Sequence, residues 1–283
     1  MNCLICNGNS RFSFAKEFGF HGLDRVEYWC CDFCGFTLSR THADLAPSEW
    51  ERLNLESHSG YFGTDSDPGD PRWRTRLRAQ ADLLDDAASI GLLKPDGRWL
   101  DYACGDGKLA SLVHDVHGRE LLKYDRYLSR DSGYLSDDAL EVRRFDLVVT
   151  TSVFEHLWQR GQFDAVHALV SDRGTLGIHT LVCETVPRDP AWFYLASVHC
   201  AFHTNRSMAL LFSQWGYTCS VYGVEAQLWL WFKADPGHIE SIVRAANARG
   251  GSKPAYVFKR GFVDYWKGSP MRRNPQGDLP GRA

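Results

Sequence analysis

Apolar residues return along the chain in two rhythms. Over residues 71–93, Trp73, Leu77, Leu84 and Ala88 recur at spacings of three to four, which predicts a helix with one buried face. Beyond it, short runs rich in apolar residues alternate with helical stretches. The runs lie at residues 99–100, 120–124, 145–151 (FDLVVTT) and 174–182, with helices predicted over 108–116 and 163–170 between them. Largely apolar strands separated by helices predict a parallel sheet covered on both faces. The pattern then changes. A helix over 206–215 (RSMALLFSQW) leads to two apolar runs, 217–222 and 226–232, parted by Gly223, which predict a β-hairpin. A helix over 238–248 and an aromatic stretch to Trp266 follow, and the Pro/Gly/Arg-rich final residues are expected to be loose.

The segments outside this pattern are read differently. Residues 41–70 are polar and turn-rich, with Tyr61, Phe62 and Gly63 before DSDPGDP, and predict a linker whose loop folds over a ligand site. Residues 183–205 form an aromatic insertion holding His199 and His203. It lies past the fifth strand, at the carboxyl edge where open parallel sheets bind ligands.

Composition narrows the class. Apolar residues make up 44% and charged residues 24% of the 283, ordinary for a globular chain. A net charge of −3 gives no general attraction to nucleic acid or membrane, and no apolar run approaches a membrane span, so the cytoplasm is the expected compartment. The nine cysteines are unevenly spaced, which argues against a disulfide framework. Four fall in two C-x2-C pairs, Cys3/Cys6 and Cys31/Cys34, close to a zinc ribbon's spacing. Each pair lets two thiolates face one ion from a tight turn, and four thiolates close a structural tetrahedron. Cys30 competes with Cys31, but only Cys31 leaves two residues before Cys34. Domain limits follow: a ribbon over 1–40, a linker and helix over 41–93, an α/β domain over 94–235, and a helix and tail over 236–283.

The candidate chemistry centres on residues 99–110, WLDYACGDGKLA. Strand, tight small-residue turn and helix start present backbone N–H groups and a helix N-terminus to a ligand. Taken alone, Gly105, Gly107 and Ala110 also satisfy the loose dinucleotide fingerprint. Asp101 at the strand mouth favours a ligand that is cationic there over a pyrophosphate. Asp125, roughly 20 residues on, suits a carboxylate holding ribose hydroxyls.

At these residues the chain resembles the class I S-adenosylmethionine-dependent methyltransferases, whose first motif is an acid, a variable residue, then G-x-G-x-G. Asp101 is the acid, Gly105 and Gly107 the last two glycines, and Ala103 replaces the first. The resemblance implies a Rossmann-like seven-stranded sheet closed by an antiparallel hairpin. It also implies a cofactor site of Asp101, Tyr102, Ala103, Cys104, Gly105, Gly107 and Asp125. The turn after the fourth strand adds Ser152, Glu155 and His156 beside the methionine end of the cofactor. Only residues 126–145 separate Asp125 from Asp146 of the next strand, so the adenine pocket is expected to be abbreviated.

A cysteine ribbon before such a domain is similar to the zinc-binding sugar methyltransferases of deoxysugar and surface-polysaccharide biosynthesis, over residues 1–232. Their segment H-x-x-Y-F-[ST]-x-x-[ST]-L aligns with HCAFHTNRSM at 199–208. This implies His199 as the base that takes a proton from a sugar hydroxyl, with His203 and Glu184 as alternatives. Val198 stands where those proteins carry an acid, and His203 where they carry an aromatic residue. The expected partner is a sugar or nucleotide-sugar, with O-methylation expected and C-methylation of a keto-deoxysugar the alternative. Arg72, Arg74, Arg76 and Arg78 predict a solvated helix face, from which one or two could reach substrate phosphates. An RNA methyltransferase and a non-catalytic scaffold are the rivals from other classes. The first lacks a basic face, and the second would not need Asp101, Gly105, Gly107 and Asp125. Oligomeric state is left open.

Overall fold

The computed structural model describes residues 1–20, 23–59, 71–127, 133–249 and 255–265. The tail residues 266–283 and the loop carrying Tyr61, Phe62 and DSDPGDP lie outside them.

A seven-stranded sheet carries the expected α/β fold. Its strands are β4 (Trp99–Tyr102), β5 (Leu122–Tyr124), β6 (Phe145–Thr151), β7 (Val170–His179), β10 (Cys219–Gly223), β11 (Leu228–Phe232) and β12 (Tyr256–Arg260), in the order β12-β10-β11-β7-β6-β4-β5. The strands β5, β4, β6 and β7 are parallel, and β11, β10 and β12 add on antiparallel. The predicted hairpin is thus present, with β11 inserted between β7 and β10. That placement explains LWLWF, a strand buried at every position. The sheet has the seven strands expected, but one of them is supplied by the tail, which the sequence reads only as a helix and an aromatic stretch. That strand is Tyr256–Arg260 on the hairpin side, pairing Val221 with Phe258. At the opposite edge, the shortened interval after Asp125 leaves the bridge Lys123–Tyr134 and a five-residue helix, α5 (Asp137–Glu141), among the described residues.

Alternation along the strands divides the core. Trp99, Leu147 and Val149 face α3 (Pro71–Ser89), α4 (Lys108–His117) and α8 (Pro236–Arg249), packing on Leu77, Leu84, Val113 and Ile239. Leu100, Val148 and Ile178 face the other side, packing with Phe163 of α6 (Arg160–Ala168) and with Met208 and Leu211 of α7 (Asn205–Gln214). The period of two is that of strand side chains. Among the described residues no helix is long and apolar enough to cross a membrane.

The N-terminal hairpin, β1 (Ser10–Phe20) and β2 (Leu23–Cys31), belongs to a second sheet whose other strands come from elsewhere. It runs β1-β2-β3-β9-β8, with β3 at Thr37–Ser39, β8 at Val182–Cys183 and β9 at Ala201–Thr204. The insertion after β7 is therefore built into the ribbon's sheet, with Thr37 opposite Phe202 and Leu38 opposite Ala201. Residues 41–59 also differ from the expected linker. They form α1 (Arg40–Ala43) and α2 (Pro47–Ser59). Pro47 starts α2 without losing a hydrogen bond, and the Glu49 carboxylate accepts the Ala46 N–H at 2.8 Å. Among the described side chains of this helix, only Trp50, Leu53 and Asn54 are buried, at i, i+3 and i+4, a stripe too narrow to stand out in so polar a segment.

Candidate active site

The strand β4, between β5 and β6, delivers Asp101 to the carboxyl end of the parallel strands. The chain then turns through left-handed backbone at Ala103 (φ 55°), Gly105 (φ 57°) and Gly107 (φ 73°) before α4 begins. Gly107 also lies close against Lys123: a Cβ there would lie 2.6 Å from Cδ of Lys123, so that side chain would have to shift. Asp125 at the end of β5 holds the loop. Its carboxylate accepts the N–H of Gly105 at 2.9 Å and that of Tyr127 at 2.8 Å. The Tyr134 hydroxyl donates to the Gly105 carbonyl at 2.9 Å, and Cys104 N–H donates to the Tyr124 carbonyl at 3.0 Å. Tyr102 stacks on Tyr124 with ring centroids 5.3 Å apart. Beside Asp125 opens a cavity of about 360 Å³ lined by Tyr124, Arg126, Leu135, Ser136, Asp137 and Asp138.

Asp101 is 1% exposed, and among the described residues neither carboxylate oxygen has a hydrogen-bond partner. Burial, together with the charges of Asp125 and Asp106, pushes its pKa up to about 8. A buried carboxylate left without donors carries an uncompensated desolvation cost. The donor set missing here is the one a cationic ligand group supplies.

A second group forms where β6 and β7 end. Ser152 adopts φ 58° and donates its N–H to the His179 carbonyl at 2.9 Å, turning the chain into the short 3-10 helix Phe154–His156. Glu155 is buried. Its carboxylate accepts from the Thr180 hydroxyl at 2.9 Å and the Tyr194 hydroxyl at 2.6 Å, and its carbonyl accepts the Cys200 N–H at 2.8 Å. These bonds bring the insertion against the fourth-strand turn. His199 Nδ1 lies 2.8 Å from the Tyr194 carbonyl. A carbonyl can only accept, so Nδ1 carries the proton and Nε2 keeps its lone pair. The His199 ring meets that of Tyr194 at 4.6 Å and that of His156 at 4.9 Å, the latter edge-on at 85°. Burial lowers the pKa of His199, holding it neutral.

Glu155, His156 and His199 are thus brought together, while His203 and Glu184 lie apart. His203 is fully buried among the rings of Phe36, Phe154 and Phe163 at 5.0–5.8 Å, and burial pushes its pKa down to about 4. Glu184 is exposed and accepts from Asn205 Nδ2 at 3.3 Å. Tyr194 and Thr180 were not singled out from the sequence. Tyr194 sat in an aromatic run without periodicity, and its partner Glu155 is distant along the chain. Arg78 pairs with Asp82 at 2.9 Å on an exposed helix face, whereas Arg76 is half-buried and its charge reaches His179 and Tyr265.

The four knuckle sulfurs converge. Cys3–Cys34 and Cys6–Cys34 are 3.6 Å apart and Cys6–Cys31 3.4 Å. A zinc tetrahedron with bonds of about 2.3 Å has edges of about 3.8 Å, so the set fits such an ion with slight expansion. The N–H groups of Ile5, Gly8 and Cys34 donate to Cys3, Cys6 and Cys31 sulfurs at 3.4–3.5 Å. Cys30 stands outside the set, its thiol donating to the Gly35 carbonyl at 3.6 Å. The knuckles are fastened to the catalytic half. Thr204, the N-cap of α7, donates its hydroxyl to the Cys34 carbonyl at 2.5 Å, and Gln214 donates to the Ile5 carbonyl at 2.7 Å.

A family model described as a methyltransferase domain matches residues 72–220, more than half of the chain. The chain belongs to that family and is an S-adenosylmethionine-dependent methyltransferase. No curated protein matches it in sequence. Among solved structures it is similar to magnesium protoporphyrin IX methyltransferase from Synechocystis PCC 6803 with bound SAH. That likeness has 11% identity over 64% of this chain and 98% of the other, with a TM-score of 0.45. It is also similar to a SAM dependent methyltransferase from Archaeoglobus fulgidus, with 16% identity over 53% and 75% and a TM-score of 0.36. A third is coclaurine N-methyltransferase bound to N-methylheliamine and SAH, with 14% identity over 60% and 57% and a TM-score of 0.35.

The raised pKa of Asp101 makes cofactor binding pH-dependent. An unfolded aspartate ionises near 3.9, so between there and about 8 the folded protein holds the extra proton. The stability this contributes is full below the unfolded value and is lost as pH rises to about 8. A cationic cofactor favours the ionised carboxylate, so binding releases a proton and tightens with rising pH, by up to about tenfold per unit below 8. Calorimetry in buffers of different ionisation enthalpy should count up to one proton released at pH 6.5. The Asp101→Asn variant should bind weakly with no such proton.

Proposed function

We propose that the enzyme methylates a hydroxyl of a sugar or nucleotide-linked sugar, with His199 as the base. The observation that carries this reading is the orientation of His199. Its Nδ1–H is committed to the Tyr194 carbonyl, leaving a neutral Nε2 lone pair beside the fourth-strand turn. The residues that would hold the cofactor are Asp101, Gly105, Gly107 and Asp125, with the cavity of Tyr124 and Asp137 for its adenine. When bound, S-adenosylmethionine supplies a methyl group activated on a sulfonium.

A sugar hydroxyl attacks that methyl poorly until its proton is removed as the new bond forms. His199 accepts the proton, and the neighbouring Glu155 carboxylate favours the resulting imidazolium across a short, buried distance. Tyr194 fixes the imidazole through its carbonyl and its ring, so reorientation during transfer is not needed. His203 and Glu184 take no part in this scheme: one is enclosed by aromatic rings and the other stands outside the Glu155–His199 group. Cys3, Cys6, Cys31 and Cys34 would hold a structural zinc ion. The likeness of ribbon and 199–208 segment to zinc-binding sugar methyltransferases supports the acceptor class, and the cytoplasm is the compartment we assign.

The test is label transfer from methyl-tritiated cofactor to a panel of nucleotide-sugars, free sugars, keto-deoxysugars and RNA. The expected product is a nucleotide-sugar or sugar bearing an O-methyl ether. Label confined to RNA, or found as a carbon-bound methyl, would overturn the reading.

A further inference from the structure

We propose that Glu155, His156 and His199 form a second metal site, distinct from the cysteine cluster, that takes one divalent transition-metal ion. One ligand atom from each of the three lies within 4.8 Å of the others. The set of two imidazoles and one carboxylate suits zinc, cobalt or nickel. Magnesium and calcium prefer all-oxygen sites.

Three features beyond proximity mark the group as prepared for an ion. First, the hydrogen bond from His199 Nδ1 to the Tyr194 carbonyl leaves Nε2 as the free donor, the outer contact by which protein carbonyls orient ligating imidazoles. Second, the Glu155 oxygens each accept one hydroxyl, from Tyr194 and from Thr180, and each retains a lone pair for a metal. Third, the rings of His156 and His199 stand edge-on with centroids 4.9 Å apart. Two imidazoles bound to one tetrahedral ion through ring nitrogens place their centroids about 5 Å apart, from bonds of about 2.0–2.1 Å. Three protein ligands leave at least one coordination position for a small ligand.

Metal and proton compete for the same His199 lone pair. Resting on the assignment of His199 as base, an ion bound here arrests methyl transfer.

The experiment uses the full chain with its cysteine cluster filled by zinc, which is spectroscopically silent. After excess metal is removed, cobalt(II) is titrated in. The expected result is one further equivalent, with weak visible bands of nitrogen and oxygen ligation and no thiolate charge-transfer band. His156→Gln and His199→Asn should each weaken this binding by roughly ten- to a hundredfold or more while retaining the zinc equivalent, which shows that they are folded. No visible bands with cobalt in excess, bands unchanged in both variants, or bands carrying thiolate charge transfer would overturn the site. If cobalt binds as expected but turnover is unaffected, the site stands and the reading of His199 as base falls.

Discussion

Replacing His199 with alanine is expected to lower turnover by about 10²- to 10⁴-fold, the usual contribution of a positioned general base. Three observations set the size of this effect. The imidazole is held at Nδ1 by the Tyr194 carbonyl, it is neutral because burial lowers its pKa, and it stands beside the Glu155 carboxylate. Cofactor affinity should change little, since Asp101 on β4, Gly105 in the loop after it and Asp125 just past β5 keep their contacts. The expected split is therefore a fall in kcat with the cofactor's Kd within about twofold of wild type. Single-turnover methyl transfer together with calorimetric cofactor binding measures both. Near-normal turnover would end the assignment. Replacing Tyr194 with phenylalanine should cost less, because the carbonyl that orients His199 remains while the hydroxyl bond to Glu155 is lost.

The second large effect is expected on breaking the cysteine cluster. The proposed zinc, held by the four thiolates, would contribute on the order of 10 kcal/mol to the fold it closes, so on that proposal Cys31→Ser should lose the metal and melt the N-terminal sheet. The consequence reaches the active site because that sheet holds the His199 segment from several sides. Ser39 N–H donates to the Cys200 carbonyl at 2.7 Å, and Lys16 Nζ donates to the Leu195 carbonyl at 2.7 Å. His42 Nε2 donates to the Ser197 carbonyl at 2.7 Å, and the Tyr28 hydroxyl reaches the His199 carbonyl at 3.5 Å. Released from these, residues 195–204 lose their register on β3 and His199 loses its position. We expect Cys31→Ser to bind cofactor, because the β4–β5 loop is untouched, and to turn over at least about 10²-fold more slowly, since a misplacement of about 1 Å has that cost. Zinc content, a thermal melt and proteolysis at residues 1–45 check it. A variant that keeps both its melting temperature and its turnover would show that the ribbon is dispensable to the site.

Much of the α/β half could be read in advance. Strand 228–232 is apolar without interruption and strand 145–151 carries an apolar centre, Leu147–Val149, because both lie inside the sheet, and the Asp101–Gly107 loop carries its chemistry in contiguous residues. The cysteine pairs were legible for the same reason: each knuckle is local, and only their meeting required the fold. The helix α2 was not legible, because its buried face is three residues wide. The edge strand Tyr256–Arg260 was hidden as well. Its burial falls off along the strand, and its pairing with β10 joins residues far apart in the chain.

The candidate site divides along the same line. Sequence by itself determined the residues that act through neighbours in the chain: the cofactor loop, the acid of β5, the Glu155–His156 turn and the four thiols. Local chemistry of that kind needs only spacing, since backbone geometry converts spacing into direction. Only the tertiary structure decided which histidine stands beside Glu155, that His203 is enclosed by Phe36, Phe154 and Phe163, and that Tyr194 and Thr180 complete the group. It alone also made the ribbon and the insertion one sheet. Those outcomes depend on hydrogen bonds and packing between segments distant along the chain, from 25 residues for Glu155 and Thr180 to 170 for Cys34 and Thr204. Such contacts leave no periodicity in the sequence, because each segment alone is equally compatible with many partners.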